Sequence, residues 1–215
     1  MTAKEKIEKV KTQFVLRERF FATLLMQMSM IEDKKCDTIW TDGKQIGYNP
    51  QFILSLSEEE VMFCLVHEIF HKTNRHHLRR DNRESEQWNI ACDYAINQNI
   101  INLGFKAPKG ILVDNKFFGK SAEQIYSLLP NKNSNESNES NESNNKSSND
   151  PGKCGEIRDM KNEDGSEMSE AEKSSEGAKT KMDIAQASRV ASQVNQISEG
   201  MKRIIGELQA PTKDW

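Results

Sequence analysis

His67-Glu68-Ile69-Phe70-His71 decides how this chain is read. It is an HExxH sequence, and all 4 histidines of the protein fall between His67 and His77. Two histidines in i, i+4 relation share one face of a helix, so both imidazoles can reach one zinc ion. The glutamate beside the first can then act as base towards the water that the metal activates. The flanking residues supply the helix this arrangement needs. Ser57-Glu58-Glu59-Glu60 has the form of a capping box, with Ser57 as N-cap and Glu60 at the third helical position. An apolar run from Val61 to Val66 follows, and Ile69 and Phe70 continue it. A helix that is apolar nearly all round is buried. Buried polar groups need partners, and one metal ion serves all three motif side chains. The alternative is a hydrogen-bonded pair of core histidines with a chance glutamate between them.

Working outward, residues 4–30 read as one helix, with Phe14, Phe21, Leu24, Leu25 and Met28 at helical spacing. Two β-prone runs, 36–41 and 45–48, flank Asp42-Gly43, which is a strong hairpin signal. Asn49-Pro50 ends the second run and starts a short helix over 51–56. The motif helix is expected over 58–79. A second helix is expected from Trp88 to about 103, stopped by Gly104. Residues 111–118 read as a short strand or extended loop, and Ser121 N-caps a helix over 122–129. The fold class is α+β and mainly helical, with a small hairpin or sheet beside the motif helix.

Residues 131–180 differ in kind. Asn-Glu-Ser occurs three times in succession from Asn135, and large apolar residues are almost absent. Such a composition buries too little surface to offset the entropy of ordering. The expected plan is a domain over 1–130, a disordered low-complexity insert over 131–180, and a C-terminal helix over 181–215 that packs back on the domain. A net charge of -3 argues against a general nucleic-acid binder. No apolar stretch opens the chain as a secretion leader, and none is long enough to span a membrane. The 4 cysteines contain no CxxC pair, and Cys64 and Cys92 fall in apolar helical patterns as expected reduced core residues. These features together suit a cytoplasmic setting.

A catalytic zinc usually takes three protein ligands and one water. His67 and His71 supply two. For the third, His77 has the HExxHxxGxxH spacing, with Asn74 in the place of the glycine. His76 lies about 900° round a continuous helix from His67, half a turn away, and faces the metal only if the helix breaks. Asp93 lies on the second helix between apolar neighbours, and a buried carboxylate needs a cation or several donors. An acidic ligand from a helix about twenty residues downstream is the gluzincin and aspzincin arrangement. Asp93 ranks first, because Asn89, Asp93 and Asn97 form a polar stripe that needs a polar site to face. His77 ranks second and His76 third. His76, His77, Asn97 and Tyr94 are the candidates for alternate or supporting roles. Tyr94, His76 and Arg79 are possible oxyanion donors. The Asp42-Gly43 hairpin can present an edge for a substrate backbone. The cluster Arg75, Arg79, Arg80 and Arg83 is interleaved with acidic residues and reads as a solvated helix end.

Several of these residues together carry a family resemblance. They are Thr41-Asp42-Gly43, Tyr48-Asn49-Pro50, His67-Glu68-x-x-His71 with His76-x-x-Arg79, Trp88-Asn89-x-Ala91-x-Asp93-x-x-x-Asn97, and Ser121-Ala122-Glu123-x-Ile125-Tyr126. The set resembles the metallopeptidase domain that precedes a von Willebrand factor A-like domain in bacterial and phage proteins. The resemblance covers about 20–129 and 183–215. It implies a zincin-like fold and a zinc peptidase acting on a peptide or protein, with Glu68 as general base. Leu208-x-x-Pro211-x-x-Asp214-Trp215 resembles the junction at which the second domain begins. The competing expectation is a non-catalytic, zinc-stabilised interaction module acting with a separate von Willebrand factor A-like partner. Glu68 favours the enzyme, since a structural zinc needs no base.

Overall fold

The computed structural model describes residues 1–130, 155–162, 164–194 and 197–209. The elements are α1 (Ala3–Arg17), α2 (Arg19–Leu25), β1 (Ser29–Glu32), β2 (Ile39–Thr41), β3 (Gln45–Tyr48), α3 (Pro50–Ser55), α4 (Glu58–Thr73), α5 (Ser85–Asn102), α6 (Ala122–Leu128), α7 (Glu170–Gln193) and α8 (Glu199–Gln209). The architecture is mainly helical α+β. Side-chain caps set several helix starts. Ser57 Oγ accepts from the Glu60 amide while the Glu60 carboxylate accepts from the Ser57 amide. Thr2 with Glu5 and Ser121 with Gln124 repeat the same box. Asn49 caps α3 ahead of Pro50.

The hairpin expected at Asp42-Gly43 is β2 and β3, antiparallel, with Trp40 opposite Gly47 and Thr41 opposite Ile46. Asp42 Oδ1 accepts the amides of Lys44 and Gln45 and so closes the turn, while Gly43 takes the positive φ. A third strand was not expected. Residues 4–30 do not form one helix: α1 ends at Arg17, α2 ends at Leu25, and Ser29–Glu32 pairs parallel with β3. Residues 29–32 form a strand because the β3 edge offers a ladder, a tertiary cause that helical spacing does not register. Residues 111–118 contain no strand, only a short 3-10 turn at Asn115–Phe117.

α4 crosses the core as its composition requires. Phe63, Leu65, Val66 and Ile69 are fully buried, each contributing on the order of 2 kcal/mol of hydrophobic stabilisation. Phe70 stacks on Phe21 of α2 at 6.2 Å, and Phe21 in turn meets Phe14 of α1 at 6.4 Å. α7 packs against α2 and α4, and its Asp183 pairs with the buried Lys72 at 3.1 Å. The C-terminal expectation is thereby corrected in two ways. The helical segment starts earlier, at Glu170, because Ser169 and Glu172 form a capping box and the small Gly177 and Thr180 bury closely. It also breaks after Gln193, with α8 beginning at Glu199. Part of the supposed insert is likewise packed: residues 155–158 run beside β2, as described below. The rest of the insert expected to be disordered, 131–154, lies outside the described residues. Cys92 is a free, buried thiol as expected, whereas Cys64 is disulfide-bonded. An apolar helical position reads alike for a thiol and a half-cystine. Among the described residues no helix is long and apolar enough to cross a membrane.

Candidate metal centre

The site forms where α4 meets α5. His67, Glu68 and His71 project from α4 and Asp93 from α5, all of them buried. Their ligand atoms converge. His67 Nε2 and His71 Nε2 are 2.7 Å apart, and Asp93 Oδ1 lies 3.4 Å from the first and 3.3 Å from the second. These three side chains can hold a metal ion between them. Neither carboxylate oxygen of Glu68 has a hydrogen-bond partner among the described residues. A buried carboxylate without a partner is costly, and it marks a place where a ligand belongs.

The polar stripe of α5 faces this site along its whole length. Asn97 Oδ1 lies 2.8 Å from His67 Nδ1, while Asn97 Nδ2 donates to the Leu112 carbonyl at 3.0 Å. Because the amide nitrogen is spent on Leu112, the oxygen faces His67 and accepts. His67 therefore carries its proton on Nδ1 and offers a bare Nε2 to the centre. Asn89, one turn before Asp93, holds a different partner. Its Nδ2 donates to the Gly155 carbonyl at 3.3 Å, and its Oδ1 accepts from the Ile157 amide at 2.9 Å.

His76 is a correction. The motif helix does not run to 79. It stops at Thr73, Arg75 takes a left-handed conformation at φ 57, and a 3-10 turn follows at His76–Leu78. The break occurs one residue after Asn74, the position that had suggested a turn. It swings His76 back so that its Nδ1 lies 3.0 Å from His71 Nδ1, and Trp88 donates to the His76 carbonyl at 3.2 Å. His76 thus supports His71 where a continuous helix would have turned it away. His77 does not join the converging group. Its ring lies against Gly43, where a Cβ would come within 2.3 Å of Nε2, and both its nitrogens are buried with no partner among the described residues. Tyr94 packs on Phe117, ring centroids 4.8 Å apart, and Arg79 is committed to Glu123 through Nε at 3.0 Å. The arginine cluster is engaged elsewhere too. Arg80 pairs with Asp159, and Arg83 lies over the Trp88 ring. It is neither free for phosphate nor simply solvated.

Burial dominates the electrostatics. It pushes the Glu68 carboxyl up to about 8, with His67 pulling the other way. It depresses His71 to about 4, helped by His67, and takes His76 well below its ordinary range. His71 and His76 are neutral at pH 7, the form in which an imidazole binds a metal. Burial also opposes the charge on Asp93, but His67 and His71 outweigh it and hold the carboxyl below its usual value. Burial opposes a charge on His67 too, but Asp93 and Glu68 outweigh it and raise this imidazole above its ordinary value, so the site without metal is an anionic carboxylate and a proton-holding His67 beside neutral His71 and His76.

A family model described as "Putative metallopeptidase domain" matches residues 2–215. The chain belongs to that family. No curated protein and no solved structure is a significant match to it. What the family assigns is a metallopeptidase domain; the residues that carry the chemistry come from the geometry.

Residues 155–158 were missed as part of the site, having been assigned to the insert. They lie alongside β2 as a parallel neighbour, with Thr41 opposite Ile157. The Glu156 amide donates to the Ile39 carbonyl at 2.9 Å, the Thr41 amide to the Glu156 carbonyl at 3.0 Å, and the Arg158 amide to the Thr41 carbonyl at 2.9 Å. A signal for them existed in Ile157 and Met160, apolar residues just past the polar tract.

Proposed function

We propose that the chain is a zinc-dependent peptidase in which His67, His71 and Asp93 hold the metal and Glu68 is the general base. The observation that carries this reading is the orphaned, buried Glu68 carboxylate beside three converging ligand atoms. For zinc bonds of about 2.0–2.1 Å, the ligand atoms of a tetrahedral site stand roughly 3.3 Å apart. The two distances to Asp93 Oδ1, 3.4 and 3.3 Å, suit that spacing, while the two imidazole nitrogens, 2.7 Å apart, would have to spread to take the metal. Two imidazoles and a carboxylate are also a donor set that leaves a fourth position open, as catalytic zinc sites do.

When bound there, zinc supplies Lewis acidity, making water acidic near neutral pH and polarising the scissile carbonyl. Glu68 accepts the proton of the attacking water and passes it to the leaving nitrogen. Beside a bound divalent cation Glu68 would favour its ionised form, the form that accepts a proton. Asn97 and His76 keep His67 and His71 in the orientation and tautomer that the metal requires. Glu68 also argues against a purely structural zinc, which would gain nothing from a buried, unpartnered carboxylate. The test is Glu68→Gln in the full chain, followed by metal analysis and hydrolysis of quenched-fluorescence peptides. The variant is expected to keep its zinc and lose hydrolysis. Cleavage at the wild-type rate would sink the general-base assignment.

A further inference from the structure

Gly155 closely approaches the metal centre from outside α4 and α5. A Cβ built on it would stand 2.4 Å from His67 Nε2 and 2.8 Å from Glu68 Oε1, and its φ of 98 is in any case one that side-chain-bearing residues avoid. The backbone at 155 therefore lies directly over the base and one ligand. The next three residues fill the β2 edge, where an extended peptide would add as a strand. Side chains secure them. Ile157 is buried against Trp88, Cys92 and Ala122. The Arg158 guanidinium lies 4.0 Å over the Trp40 ring and reaches Asp33 at 3.4 Å.

We propose that residues 155–158 are an internal occupant of the peptide-binding edge, a strap that covers the metal centre and must leave before a substrate peptide can bind. This rests on the peptidase reading for what the edge normally receives. The strap has the features of an occupant that is not cut. The Gly155 carbonyl accepts from Asn89 and the Glu156 carbonyl from the Thr41 amide. Both of these carbonyls are thus held by protein donors. Asn89 recognises main chain alone, through one donor and one acceptor, so it can clamp any extended peptide that replaces the strap. The occupant runs parallel to β2, tied to it through Thr41 and Ile157.

The test uses the full chain, kept under reducing conditions that open the Cys64 disulfide and loaded with zinc, in a Glu68→Gln background, so that nothing is hydrolysed. Two variants displace the strap by different means: Gly155→Val, for which there is no room over His67, and Ile157→Asp, which puts a charge into an apolar pocket away from the metal. A fluorescein-labelled peptide of the strap's own residues 155–161 is titrated by anisotropy, with metal content measured in parallel. Amide exchange at Thr41 and Arg158 reports whether the strap has left. The displaced proteins are expected to bind the peptide at least tenfold more tightly than the Glu68→Gln parent at equal zinc. Ile157→Asp decides the matter if Gly155→Val loses its metal. Equal affinity for parent and variants, an open edge that binds no peptide, or amides that stay protected in Ile157→Asp overturns the proposal. With Glu68 restored, peptide binding without hydrolysis keeps the strap and sinks the peptidase reading. Hydrolysis that is equally fast in wild type and Ile157→Asp does the reverse.

Discussion

On one side of the candidate metal centre, α4 and α5 deliver side chains, His67, Glu68, His71 and Asp93 with Asn97 behind them, and the turn after α4 adds His76. On the other side, β2 and residues 155–158 deliver main-chain amides and carbonyls, held by each other and by Asn89. The first wall is fully buried and its chemistry depends on residue identity. The second depends on an edge being filled, which many sequences could do. A wall made of side chains is fixed by helix packing, whereas a wall made of one short added strand can open locally while the fold stays intact.

The largest expected effect tests whether the metal belongs to the first wall alone. His71→Ala and Asp93→Ala are each expected to lower zinc affinity by more than the roughly 100-fold that marks the upper end for a supporting residue. Competition with a chelator measures it. The contrast breaks if Ile157→Asp, on the second wall, strips the metal as severely. Next comes Glu68. In metal-free protein its folded pKa of about 8 stands against an ordinary 4.5. The folded state then binds the proton that the unfolded state has released, so this group costs stability as pH rises from about 4.5 to 8. His71, held at about 4, contributes the opposite slope below its ordinary 6.5. The readout is therefore a difference: the thermal midpoint of Glu68→Gln minus that of wild type is expected to grow across pH 4.5–8. A flat difference would mean the carboxyl is not buried as described.

Asn97→Ala should act more mildly, lowering zinc affinity about 10–100-fold while leaving all three ligands in place. No change in affinity would show that the His67 tautomer needs no partner. The smallest expected effect belongs to the second wall. Ile157→Ala removes a buried side chain, but the segment can open by itself, so the global midpoint should fall by no more than about 1–2 kcal/mol equivalent, below the usual core penalty. Hydrogen exchange at the Arg158 amide should rise by far more. A global loss as large as for a core residue of α4 would make the two walls equally integral.

The same contrast explains what could be read in advance. The start of the motif helix, its capping box and the Asp42-Gly43 hairpin rest on local rules, and each stands where the sequence pointed; the end of that helix, expected at 79, comes at Thr73. Asp93 and Asn97 were legible because polar residues at helical spacing on an apolar helix need something to face. His76 was legible as a candidate supporting residue, but the turn that brings it to His71 was not, because it depends on Arg75 adopting a left-handed conformation that its residue type does not advertise. The pairing of β1 and of residues 155–158 was hidden for a shared reason: both lie extended because a strand offers an edge, and although Ile157 and Met160 hinted at burial, edge pairing has no local signature. The early start of α7 was hidden by its exposed, charged first turns, whose composition matches that of the polar tract before it.

The hydrogen bond from Asn97 Nδ2 to the Leu112 carbonyl carries a consequence for how this centre tolerates change. It makes a main-chain oxygen in the loop after α5 the reference that orients Asn97, which in turn sets the proton on the imidazole of a proposed metal ligand. A carbonyl is common to every residue type, so the identity of residue 112 is free to drift. Its position is not. An insertion or deletion of a single residue between 105 and 112 would move that oxygen, release Asn97 to rotate, and allow His67 to exchange tautomers. The loop therefore governs the metal centre through its length, and sequence change there is silent until the spacing alters.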